Sequence, residues 1–179
     1  MDDITPVQFW LRRLTYLAIG TFFMLQALIP LDLTANRIPG PDIMYCITMA
    51  YVIRRPEFAP IWAIVIVFFL RDVLSMAPLG IWTLLMVIST EVVRANLQVF
   101  REYFYAIEWL WIIAIFAIML VLHQIILALS LSFTPKFVDQ LYQFFFTAAC
   151  YPAIVAIMKY GFGIDRPAAG KTDARGQRL

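Results

Sequence analysis

His123, in "VLHQII", and the two cysteines, Cys46 and Cys150, are the side chains of this chain best suited to ligate a metal or act as acid, base or nucleophile. Chemistry of that kind needs company. A protein-bound metal takes several ligands, and His123 has no second His, no Cys and no carboxylate at ligand spacing within its run. Each cysteine lies inside an apolar stretch, where a small buried thiol is expected rather than half of a disulfide. No serine with a plausible base, no glycine-rich phosphate loop and no clustered carboxylates occur. The chain is therefore expected to be no enzyme, to hold no cofactor, and to have no catalytic, cofactor-binding or metal-binding residues. His123 beside Gln124 is expected to be a packed or hydrogen-bonded side chain.

A second polar feature is the adjacent pair Arg71 and Asp72 in "LRDVLSMAPLG", residues 70–80. Helical neighbours point about 100° apart, so the two need not pair, and each wants a partner of its own. The pair reads as a tertiary fastener at a short turn. Pro78 suits the first turn of the helix that follows, where its missing N–H costs nothing, and Gly80 would let a neighbouring helix come close.

The elements that carry these residues are expected to belong to a membrane protein. Apolar residues make up 63% of the 179, aromatics 16% and charged residues only 15%, far from the usage of a soluble domain. Uncharged runs cover Leu14 to Leu31, Ile43 to Ile53, Phe58 to Leu70, Val73 to Thr90, Trp109 to Pro135 and Gln140 to Met158. Six runs predict six transmembrane helices in a single all-α domain over 1–160, followed by a basic, polar tail over 161–179 expected to be disordered and cytoplasmic. The second and third runs are short for a hydrocarbon core of about 30 Å and must use their charged flanks. Burying Arg54 and Arg55 of the linker "RRPEF" at mid-membrane would cost several kcal/mol each, so two spanning helices with charged ends are expected there.

Counting cations by loop gives the orientation. Arg12, Arg13, Arg54, Arg55, Arg94, Arg101, Lys159, Arg166, Lys171, Arg175 and Arg178 fall on one side, and Arg37, Arg71 and Lys136 on the other. The positive-inside rule then puts both termini in the cytoplasm. The head "MDDITPVQFW" carries two acids and no cleavage pattern follows, so the first helix is expected to stay. Trp10, Trp62, Trp82, Trp109 and Trp111 lie near predicted helix ends, as interfacial anchors do.

Two surfaces could receive partners. From Glu91 to Glu108 the apolar residues Val93, Leu97, Phe100, Phe104 and Ile107 share one face of an amphipathic helix that lies on the inner leaflet or continues helix four, a membrane-surface connector or a docking surface for a cytoplasmic partner. In the last run Ala149, Ala153 and Ala156 fall at i, i+4 and i+7, a small-residue stripe that lets another helix approach, from the same chain or from a partner.

Residues 45–94, "YCITMAYVIRRPEFAPIWAIVIVFFLRDVLSMAPLGIWTLLMVISTEVVR", resemble the rod shape-determining protein MreD family. The matching features are an apolar helix ending in "RRP", a second ending in Leu70, Arg71 and Asp72, and "PLG" opening the fourth helix, with Phe68 and Met76 standing where the family often has glycine. The resemblance implies a non-enzymatic component of the bacterial cell-elongation machinery, in the inner membrane and involved in cell shape and peptidoglycan synthesis. It implies an MreC-like bitopic partner, with MreB, a RodA-type glycan polymerase and a class B penicillin-binding protein nearby, and no nucleic acid. It also implies a fold similar to the substrate-binding subunits of energy-coupling-factor transporters, which makes a vitamin-binding subunit the alternative. Helix one, "LTYLAIGTFFMLQALIPL", lacks the alanine pair such a subunit would use to dock its transporter.

Overall fold

A computed structural model describes residues 6–28, 40–75, 78–97, 105–130 and 135–162. Six α-helices make up the described fold: α1 (Pro6–Leu28), α2 (Ile43–Arg54), α3 (Ile61–Leu74), α4 (Ile81–Ala95), α5 (Tyr105–Leu129) and α6 (Phe137–Phe162). There is no strand among the described residues. Two helices, α5 and α6, are long and apolar enough to cross a membrane. α2 and α3, with 12 and 14 residues, rise only about 18 and 21 Å.

The shortest helix is the centre of the bundle. α2, "IMYCITMAYVIR", is apolar on every side, and every residue from Met44 to Arg54 is buried. A helix without a polar face must be enclosed, and α6, α4 and α1 all pack against it. α3 packs on α4 and α1, while α5 closes the arrangement by packing on α4 and α6. Close approach of α1 uses Gly20, where a Cβ would lie 3.0 Å from a methyl of Val67 on α3. Phe68, the large side chain in the "VFFL" segment of α3, is fully buried in the same core.

α6 contains Pro152, which has no N–H to give to the carbonyl of Ala148 one turn back. That carbonyl accepts instead from Trp109 Nε1 of α5 at 2.9 Å, so the proline break becomes a tie between the two longest helices. Trp109, expected as an interfacial anchor, has this internal role. Trp82 departs further from that expectation, since it is buried, whereas Trp10, Trp62 and Trp111 are exposed.

The amphipathic reading of 91–108 falls partly on residues 98–104, including Phe100 and Phe104, which lie outside the described residues. Leu97 is half-buried against the core, just past the end of α4. The expected tail likewise lies outside the described residues from 163 onward, and α6 continues through Gly161 to Phe162.

If Trp109 answers the carbonyl that Pro152 frees, the two residues are coupled. Trp109→Phe should cost roughly 1 kcal/mol in the wild-type background, where it leaves a partly buried carbonyl without its donor. It should cost clearly less in a Pro152→Ala background, where the backbone regains an N–H at that position. Thermal unfolding of the four proteins in detergent measures that difference.

Candidate functional site

The "PLG" turn is built around Asp72. Gly80 is the N-cap of α4 with φ 86°, a left-handed conformation that favours glycine, and it has no side chain with which to cap the helix. Asp72, at the end of α3, supplies the cap. Its Oδ2 accepts from the Gly80 N–H at 3.1 Å, the Thr83 N–H at 3.1 Å and the Thr83 hydroxyl at 2.8 Å. Asp72 is 2% exposed and sits at the positive end of α4, so hydrogen bonding and the helix dipole act together. Two readings of this turn are corrected. Pro78 lies in the turn, before the N-cap and outside the first turn of α4. Gly80 serves backbone conformation rather than close helix approach, because nothing lies within 4 Å of where its Cβ would be.

Arg71 points elsewhere. Its Nη1 donates to Asp42 Oδ2 at 2.7 Å, and its guanidinium lies over the Trp82 ring at 5.0 Å. Asp42 is itself the N-cap of α2, its Oδ1 accepting from the Tyr45 N–H at 3.0 Å. The Asp42 N–H in turn donates to Thr147 Oγ1 of α6 at 2.9 Å. One buried aspartate therefore joins α2, α3 and α6 at this end of the bundle.

The opposite end has a matching tie that the sequence reading did not anticipate. Arg54, expected at a solvated helix end, is 4% exposed and pairs with Glu108 of α5, Nη1 to Oε1, at 3.2 Å. Tyr151 of α6 donates its hydroxyl to the same Oε1 at 2.6 Å. Burial of Arg54 is tolerable because a carboxylate and a phenol share its environment; alone it would be severely unfavourable. A lone acid among "YAIEWLWIIAI" was the available signal. Nearby, Arg94 fixes the end of α4 to the α2–α3 turn through the carbonyls of Pro56 and Ala59.

His123 is half-buried with its ring edge-on to Trp82 at 5.0 Å. It borders a cleft of about 190 Å³ that Arg71, Asp72, Asp139 and Gln143 also line. That volume is below the ~300–1,000 Å³ usual for small-molecule sites. Gln124 next to it accepts from Gln140 at 2.6 Å, tying α5 to α6. Both cysteines are free, and the Cys46 thiol is directed at the Thr147 carbonyl at 3.6 Å. Among the described residues no group of three or more His, Cys, Asp or Glu is placed to hold a metal.

The arrangement does not gather Arg71, Asp72, Pro78 and Gly80 with the other candidates. Ala149, Ala153 and Ala156 lie on α6 and are all exposed, as one outward-facing strip. Comparison with protein-family models, curated proteins and solved structures found no match.

Asp72→Ala removes three hydrogen bonds from the start of α4 and should destabilise the protein by roughly 1–3 kcal/mol. Asp72→Asn keeps an acceptor and should lose less. Unfolding temperatures of the two variants in detergent check the order, and equal stability of Asp72→Ala and the wild type would remove Asp72 from the cap.

Proposed function

We propose that this chain is a six-helix protein of the bacterial inner membrane that acts without chemistry of its own, by binding other membrane proteins as a member of the MreD family would. Its first partner is an MreC-like bitopic protein. Through it the chain would stand beside MreB filaments, a RodA-type glycan polymerase and a class B penicillin-binding protein in the machinery of cell shape.

The membrane part of this reading is supported by where the apolar surface lies. Only 33% and 28% of the apolar windows of α5 and α6 are buried, unlike the core helices of a soluble protein. Phe22, Leu84, Ile118, Phe145 and Ile157 face outward from α1, α4, α5 and α6. Apolar surface on so many sides of a bundle fits lipid. The orientation part is supported by the ends. Among the described residues Arg12, Arg13, Arg54, Arg55, Arg94 and Lys159 lie at the end where α2 finishes and α3 begins, and Arg71 and Lys136 at the other. With the positive-inside rule, the first end and both termini are cytoplasmic.

The observation that carries the partner-binding reading is the outward strip of Ala149, Ala153 and Ala156. In lipid, helices associate through close packing at small side chains, and a strip that none of the described helices covers is available to another chain. The charges at the helix ends favour binding over catalysis, since the buried Arg54, Asp42 and Asp72 and the half-buried Arg71 are all engaged with internal partners.

Ala153→Leu should leave insertion and thermal stability unchanged, because Ala153 is exposed. The same variant should reduce co-purification with an MreC-like protein several-fold. Full recovery of the partner would move the docking face elsewhere, first to the residues around Leu97 and Phe100.

A further inference from the structure

A groove of about 700 Å³ opens at the end of the bundle where α2 and α6 finish and α5 begins. Its polar rim is lined by the buried Arg54, the exposed Lys159 and the aromatic residues Tyr105 and Tyr160, and its apolar floor by the buried Val155 and the exposed Ala156. We propose that this groove seats one anionic phospholipid of the cytoplasmic leaflet, with its phosphate at the Arg54–Lys159 rim and an acyl chain along the apolar floor. The inference rests on the membrane reading above and adds a lipid ligand to it.

Depth is the first argument. Lys159 lies 22 residues beyond Phe137 on α6, a rise of about 33 Å, which matches a hydrocarbon core of about 30 Å. The ammonium is then level with the headgroups when Phe137 is level with the opposite boundary. Ala156 and Val155 lie about one turn deeper, at acyl-chain level. Tyrosines at the rim, amphipathic and half in each medium, are the side chains that favour this depth.

Charge is the second. Of the cations described at this end, Arg13 donates to the Glu57 carbonyl, Arg94 to the Pro56 and Ala59 carbonyls, Arg12 lies over the Phe58 ring, and Arg55, the half-buried C-cap of α2, does not line the groove. Arg54 is held in place by Glu108, whose charge cancels its own. Lys159 is exposed, with its ammonium 5.7 Å from the centre of the Tyr160 ring. Arg54, Glu108 and Lys159 together leave one positive charge at the rim. A headgroup with one negative charge balances it, whereas a zwitterionic headgroup brings no net charge. The buried Arg54 adds a guanidinium that cannot swing away, and such a fork is suited to phosphate oxygens.

The test uses the full chain purified in a neutral detergent, with unfolding temperature followed as dioleoyl phosphatidylglycerol, dioleoyl phosphatidylcholine or inorganic phosphate is added. Phosphatidylglycerol should raise the wild-type unfolding temperature by roughly 5 °C at saturation, and the other two by much less. Lys159→Gln should lose most of that rise, while Lys136→Gln, at the other end of α6, should keep it. Ala156→Phe, which fills the floor and leaves every charge in place, should also lose it. Equal rises with both lipids overturn the proposal, and so does a full rise in Lys159→Gln. A rise with inorganic phosphate alone means a soluble-anion site and overturns it too. Loss of partner co-purification in Lys159→Gln without any lipid preference puts a protein in the groove instead. Alkaline carbonate extraction of the same protein from cell membranes separates the two levels. Release into the supernatant refutes the membrane reading and the lipid site together, and retention with no lipid preference refutes the lipid site alone.

Discussion

The bundle depends on a short helix clamped by an ion pair at each end. α2 rises only about 18 Å, so in a hydrocarbon layer of about 30 Å at least one of its ends lies inside the apolar slab. Its N-cap Asp42 and its last residue Arg54 are both charges buried in the protein, and neither would be stable without a partner. Arg71 of α3 answers the first, and Glu108 of α5 with Tyr151 of α6 answers the second. α3, α5 and α6 are thereby fixed in rotation and depth relative to α2. The cap that Asp72 provides to α4 then sets the next helix from the end of α3.

Internal pairing of the polar groups shapes the surface. Because the charged side chains in the core face one another, the outside of α1, α5 and α6 is free to be apolar, and the small residues of α6 can be presented outward. Small side chains on an outer face lose lipid contact area and gain nothing unless something packs closely against them. The end where α2 finishes adds a cationic rim beside an apolar floor, so the proposed protein and lipid contacts would adjoin on α6 and share Ala156.

Much of the helix layout was legible in the sequence, because uncharged runs mark apolar helices irrespective of how they pack. The Arg71 and Asp72 pair was legible in kind, since a 100° step between neighbours forces different partners. Their identities were not. Asp42 is 29 positions from Arg71 and Glu108 is 54 from Arg54, and which helix faces meet depends on rotation that periodicity cannot supply when a helix is apolar all round. The same limit explains Trp82, whose place near a helix end says nothing of whether its ring points to lipid or into the bundle. The role of Gly80 was hidden because a glycine needed for φ 86° and one needed for close packing look alike in sequence. The tie from Trp109 to the Ala148 carbonyl had a visible cause in Pro152, but its donor came from 39 residues away.

The clamp at the end of α2 is tested most directly by a double-mutant cycle on Arg54 and Glu108, read as unfolding free energy in detergent. The account predicts that Arg54→Met and Glu108→Leu each cost about 3–5 kcal/mol, because each leaves a buried charge unpaired. The double variant should recover most of that loss, since both charges are gone and the apolar side chains can pack. Single variants as stable as the wild type, or a double variant whose losses simply add, would contradict it.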